Sequence, residues 1–158
     1  MKINSGRDYL ESLRTIHPTI YYKGKKIENV ARHAATAPHV RSAAMTYALA
    51  NDEEYQDLAT ATSHLTGRRI SRFTHVHQNT EDLIKKIKLL RVLGQKTGTC
   101  FQRCVGLDGI NAVYSVVHEI DQKHGTDYLN RFKNSAPFAP PRDFLFLAKT
   151  PSSQRNCK

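Results

Sequence analysis

Apolar residues recur at three- and four-residue spacings along several stretches of the chain, and the breaks between them fall on glycine and proline. Residues 5–16 pattern as a first helix. Tyr9, Leu10, Leu13 and Ile16 make its apolar face, Ser5 stands at the N-cap, and Asp8 occupies the capping-box position three residues on. Pro18 blocks continuation. Residues 19–22 and Ile27 flank Lys23, Gly24, Lys25 and Lys26, which predicts a short β-hairpin around Gly24. Pro38 opens a second helix through Ala43, Ala44, Tyr47 and Leu49 to Asn51. A short helix over 52–58 follows, with acids in its first turn. Residues 67–73 read as an irregular or extended connector, where Arg68, Arg69 and Arg72 form either a solvated basic turn or a phosphate contact.

The clearest helix spans 80–93. Thr80 is its expected cap, Glu81 and Asp82 sit in the first turn, and Gly94 ends it. Leu83, Ile87, Leu90 and Leu93 form the expected buried stripe, with Lys85, Lys86, Lys88 and Arg91 on the other faces. From Cys100 to about Gln122 a long helix follows, with Leu107, Ile110, Val113, Val117 and Ile120 as its core stripe. Gly98, Gly106 and Gly109 cost such a helix roughly 1 kcal/mol each against alanine, which points to close approach by backbone, cofactor or ligand. The two helices are expected to pack as an antiparallel pair around the loop at 94–99. That places Cys100 at a helix start, where the dipole favours a thiolate. Beyond about Leu129 the character changes. Ser135, Ala136, Pro137, Phe138, Ala139, Pro140 and Pro141 forbid helix, 144–148 is a short apolar burst, and 150–158 is polar. Residues 135–158 therefore read as a disordered, frameshifted or foreign tail after a domain at 1–134.

At 158 residues and 39 % hydrophobic, the chain can bury one modest core. No apolar run approaches membrane-spanning length and no signal-peptide pattern opens it, so a cytoplasmic, membrane-free protein is expected. Three cysteines without framework spacing fit a reducing compartment. The net charge of +10 is compatible with a polyanionic partner or an anionic coenzyme A thioester. The basic residues are scattered and no nucleic-acid-reading motif stands out, so nucleic acid is not the expected partner.

Two groups of residues carry candidate chemistry. Cys100 and Cys104 lie four apart, one helical turn along a single face, with Leu107 and Asn111 continuing it. Such a pair can supply two thiolates to zinc or to an iron–sulfur cluster, or it can pack as two small hydrophobes. A disulfide is disfavoured, because side chains at i and i+4 point along the helix. His75 and His77 share a face if the segment is extended, and could bind a metal there. No acid or thiolate lies beside them in the sequence.

The words around the cysteines add a resemblance. Leu93-Gly94-Gln95-Lys96-Thr97, then Cys100-Phe101-Gln102-Arg103-Cys104-Val105-Gly106-Leu107-Asp108, then Glu119-Ile120-Asp121-Gln122-Lys123 with Gly125-Thr126, resemble the 4-hydroxyphenylacetate 3-hydroxylase flavoprotein family, and within it the 4-hydroxybutyryl-CoA dehydratase branch. The similarity begins near Tyr9-Leu10-Glu11-Ser12-Leu13-Arg14 and includes Gly24-Lys25-Lys26-Ile27-Glu28-Asn29. It continues through Met45-Thr46-Tyr47, Ile70-Ser71-Arg72-Phe73 and His77-Gln78, and covers roughly residues 5 to 130.

The resemblance implies a mainly α, N-terminal helical domain with a short β-hairpin, from an acyl-CoA-dehydrogenase-like flavoprotein. It implies FAD and a 4Fe–4S cluster in the intact enzyme, an acyl-CoA substrate, and a homo-oligomer, a homotetramer in the family. Cys100 and Cys104 match two of the four cluster ligands; a histidine and a cysteine elsewhere in the family's chain supply the others. The implied reaction is radical dehydration of 4-hydroxybutyryl-CoA to crotonyl-CoA. No catalytic residue is assigned; Gln102, between the cysteines, and Asn111, on their face, are candidates for contacts around the cluster or pocket. The chain by itself, with half the ligands, is expected to be inactive. Three alternatives stand beside this: a family monooxygenase acting on a phenol, a metal-binding module completed by oligomerisation, and a basic helical protein binding nucleic acid.

Overall fold

The computed structural model describes residues 5–16, 19–98 and 103–134. The fold is mainly α, with two short antiparallel hairpins. Helix α1 (Gly6–Ile16) starts on the expected capping box. The Ser5 hydroxyl accepts from the Asp8 N–H at 3.2 Å, and the Asp8 carboxylate accepts from the Ser5 N–H at 2.7 Å. Strands β1 (Tyr21–Tyr22) and β2 (Lys25–Lys26) pair around Gly24, whose φ of 77° is open to glycine at no steric cost. Helix α2 (Ala37–Ala48) has proline in its first turn and runs on into a 3-10 turn, Leu49–Asn51. Helices α1 and α2 pack closely. Gly6 lies so near α2 that a Cβ there would meet the Ala44 carbonyl oxygen at 2.9 Å, and Tyr9 stacks on Tyr47 with ring centres 5.1 Å apart.

Between α2 and the long helices the structure departs from the expected pattern. The short helix is α3 (Gln56–Ala59), shifted toward the C-terminal end of 52–58. The connector takes the extended form, one of the two expected for it. Strand β3 (Thr60–Thr62) pairs antiparallel with β4 (Arg69–Ser71), and a 3-10 turn, Arg72–Thr74, follows. With three residues per strand, alternation is too brief to register as a pattern. Arg72 is no solvated turn residue. It is 3 % exposed and donates to the carbonyls of Asp57, Leu58 and Thr60. Arg69 reaches the Thr60 hydroxyl and Gln56, while Arg68 stays exposed.

Helix α4 (Thr80–Thr97) is capped by Asn79 rather than Thr80, the Asn79 side chain accepting from the Asp82 N–H at 3.0 Å. It runs through Gly94 and ends at Gly98, whose φ of 65° is the left-handed cap conformation. Its buried face also differs from the expected one: Leu83 and Ile87 are 45 % and 61 % exposed, and Leu89 and Leu93 are buried. Helix α5 (Arg103–His124) buries Leu107 and Ile110 of the expected stripe and leaves Val113 half exposed. Helix α6 (Tyr128–Lys133) folds back on α5. The Asp121 carboxylate accepts from the Tyr128 and Leu129 N–H groups, and Phe132 packs on Tyr114.

The core joins Leu49, Ala50, Ala59, Phe73, Leu89, Leu93 and Leu107. Full burial of each large aliphatic side chain contributes roughly 1.5–3 kcal/mol. Helices α4 and α5 meet through these side chains and a Lys86–Asp108 ion pair. The close backbone neighbours of α5 among the described residues are α6 and the 72–74 turn, rather than α4 as a tight antiparallel partner. Gly98 belongs to the α4 cap, and Gly109 has open space around it, so the close approach expected there is not seen. Among the described residues no helix is long and apolar enough to cross a membrane.

Candidate functional site

Cys104 lies near the described start of α5, half buried and with a free thiol. Cys100 and Gln102 fall outside the described residues, as does the 135–158 stretch. The residue before Cys104 is held from three directions. The Arg103 guanidinium lies 4.4 Å from the Tyr47 ring centre on one side and 4.7 Å from the Phe73 ring centre on another, and it donates to the Thr46 hydroxyl. Tyr47, Phe73 and Thr46 are all buried. The start of α5 is thereby tied both to α2 and to the 72–74 turn.

Two helical turns beyond Cys104, Asn111 spends its side chain on backbone. Its carboxamide oxygen accepts from the His77 N–H at 2.8 Å, and its amide donates to the carbonyls of His75 and Leu107 at 3.1 and 2.9 Å. Asn111 therefore fastens the extended 75–77 segment to α5. His75 and His77 do share a region, their ring centres 6.0 Å apart. His75 is 3 % exposed, and its Nε2 lies 3.0 Å from a carboxylate oxygen of Asp82. The acid missing from their sequence neighbourhood is thus supplied by the first turn of α4.

Asp82 also accepts from Arg72 at 3.1 Å and from the Gln78 N–H at 2.9 Å. Burial pulls its pKa up, but the hydrogen bonds from Gln78, His75 and Arg72 outweigh that and hold it at about 2. The Nδ1 of His75 and both ring nitrogens of His77 are buried without a partner among the described residues. Burial, and then the neighbouring Lys86 charge, lower the His77 pKa, which disfavours protonation of its ring. Sequence spacing could not find the Arg72–Asp82–His75 network or the Arg103 stack, because each joins residues from separate elements.

Among the described residues no three His, Cys, Asp or Glu side chains gather where they could hold a metal ion. The donor chemistry of Cys104 nevertheless suits an iron–sulfur ligand, being a free thiol on a helix. The donor number does not close there. A cluster here would need further ligands, and the described residues gather none beside Cys104.

The 4-hydroxyphenylacetate 3-hydroxylase N-terminal sequence profile matches residues 5–146, past residue 134 into the stretch that composition sets apart. The 4-hydroxybutyryl-CoA dehydratase/vinylacetyl-CoA-Δ-isomerase of Clostridium aminobutyricum is 47 % identical over 141 residues, which is 89 % of this chain and 29 % of that protein. The structure of an oxygen-tolerant archaeal 4-hydroxybutyryl-CoA dehydratase from N. maritimus superposes with a TM-score of 0.75 at 46 % identity, covering 83 % of this chain and 26 % of that one. The oxygenase component of 4-hydroxyphenylacetate 3-monooxygenase, complexed with FAD, superposes at 0.51 with 27 % identity, over 59 % of this chain and 19 % of that one. The chain thus spans less than a third of the length of these relatives. A profile match over most of the chain, on a fold shared with both the dehydratase and the oxygenase, makes this protein a member of the 4-hydroxyphenylacetate 3-hydroxylase N-terminal family.

Proposed function

We propose that this chain is the N-terminal helical domain of a cytoplasmic, homo-oligomeric acyl-CoA dehydratase acting on 4-hydroxybutyryl-CoA. Its contribution to the active site is the Cys100/Cys104 pair, two of the four ligands of a 4Fe–4S cluster. The observation that carries this is the level of identity: 47 % to the clostridial dehydratase, against 27 % to the FAD-bound oxygenase. A pair of thiols four residues apart in that context is the donor set an iron–sulfur cluster takes.

When bound, FAD and the cluster would supply one-electron chemistry and a Lewis acid toward the departing hydroxyl. The residues of this chain do the holding. Arg103 and its aromatic neighbours anchor the turn that bears Cys104, and Asn111 locks 75–77 to the same helix. Gln102 is the candidate for a contact to the cluster or substrate, being set between the two ligands in sequence. With half the ligand set, the chain alone is inactive toward 4-hydroxybutyryl-CoA.

Anaerobic reconstitution with iron, sulfide and an excess of small thiol tests the ligand assignment. The expected product carries about four iron per chain, the small thiol completing the coordination. Cys100→Ser and Cys104→Ser each lose most of that iron. Uptake that is unchanged in the double variant overturns the assignment. Flavin binding with no cysteine-dependent iron would instead favour the monooxygenase side of the family.

A further inference from the structure

We infer that His77 is an acid-sensitive latch: residues 75–77 lie on α5 while its ring is neutral, and they leave α5 when the ring takes up a proton.

The backbone and the ring of His77 meet different surroundings. The backbone is clamped, the Asn111 carboxamide accepting from the His77 N–H at 2.8 Å and donating to the His75 carbonyl at 3.1 Å. The ring is enclosed but unbonded: both nitrogens are sealed from solvent and have no hydrogen-bond partner among the described residues. A neutral imidazole placed this way forfeits the bonds of one N–H and one lone pair, whereas an imidazolium would bury two donors and a charge. Asp82 of α4 is the carboxylate that would favour that charge, but Arg72, His75 and the Gln78 N–H already occupy it. Lys86 of α4, paired with Asp108 of α5, and Arg72 of the 72–74 turn both oppose it. So does the His75 ring, whose centre lies 6.0 Å from that of His77. Protonation therefore requires water, and water reaches the ring nitrogens only when the segment lifts from α5.

Helix α5 keeps close backbone company with the 72–74 turn, immediately before the latch, and with α6. Release of 75–77 therefore loosens α5 at its middle, while the Arg103 contacts hold its start. The sign follows from which state takes the proton. The closed segment disfavours it and the open one titrates at about 6.5, so opening gains as pH falls below that value. The window lies well above that of Asp82, whose carboxyl is held at about 2.

Amide hydrogen exchange followed by mass spectrometry reads the chain segment by segment, on the whole reduced protein between about pH 7.5 and about pH 5. After correction for the intrinsic pH dependence of exchange, protection of 75–78 is expected to fall about tenfold per pH unit below about 6.5. Helices α1 and α2 should keep theirs. His77→Phe puts an apolar ring in place of the unbonded one and is expected to hold full protection across the range. Should it fail to fold by circular dichroism, His77→Gln cannot titrate and carries the same expectation. His64, whose Nε2 lies 3.2 Å from the Tyr114 hydroxyl, is the control, and His64→Gln should retain the acid response. A flat profile in the unsubstituted chain overturns the inference. So does an acid response that persists in a folded His77 variant or disappears in His64→Gln. An equal loss of protection in α1 and α2 overturns it too, since that reports acid unfolding of the whole fold rather than release of one segment.

Discussion

Asp82 joins three parts of the molecule through one carboxylate: Arg72 at 3.1 Å, His75 at 3.0 Å and the Gln78 N–H at 2.9 Å. Arg72 and His75 are each 3 % exposed, so loss of the carboxylate strands a buried guanidinium. Asp82→Ala is expected to destabilise the fold by about 3–5 kcal/mol in denaturant unfolding. The same group sets an acid limit. Its folded-state pKa of about 2 lies below the ordinary 3.8, so its stabilisation is complete above the ordinary value and is lost as pH falls through that interval toward 2. Unfolding midpoints measured across that interval should fall steeply in the unsubstituted protein and less steeply in Asp82→Asn. From the sequence, Asp82 is an ordinary first-turn helix acid and Arg72 an ordinary basic loop residue. Only the fold shows that they belong together.

The elements were legible to different degrees, for physical reasons that differ. The α1 capping box and the Gly24 hairpin are local devices, complete within a few residues, and both formed as read. Helix α4 is recognisable by its period, and Leu90 and Leu93 of the expected stripe reach the core while Leu83 and Ile87 do not. Its inward line runs through Asp82, Lys86, Leu89 and Leu93, and the first half of that line is charged because it serves Arg72, His75 and Asp108. A periodicity argument seeks apolar residues and settles on Leu83 and Ile87, which remain exposed.

Helix α4 runs through Gly94, its expected stop, because, of the two glycines four apart, only Gly98 adopts positive φ. The two positions should therefore respond oppositely to alanine. Gly94→Ala, with nothing within 4 Å of the added methyl, is expected to stabilise by roughly 0.5–1 kcal/mol. Gly98→Ala, at φ 65°, should cost about 1 kcal/mol. Thermal or denaturant unfolding of the two variants checks both signs. Equal effects would mean that the helix ends elsewhere.

At the scale of the molecule, charge and composition left several partners open, while the residues around the cysteines narrowed the field. The net charge of +10 fits a coenzyme A thioester as well as any other polyanion and chooses nothing by itself. What the cysteine region could not convey is how the site is supported. The Arg103 stack draws on α2 and the 72–74 turn, and the Asn111 clamp draws on the extended 75–77 segment.

The claim that this is a dehydratase N-terminal domain is tested most directly by exchange. Residues 5–134 would replace the matching part of the N. maritimus dehydratase, to which the chain is 46 % identical with a TM-score of 0.75. The purified hybrid would then be assayed for dehydration of 4-hydroxybutyryl-CoA and for bound iron. The proposal predicts a flavin- and iron-containing hybrid that dehydrates the substrate, with both iron and activity lost on Cys104→Ser. A folded, flavin-bound hybrid without iron and without dehydratase activity would contradict it.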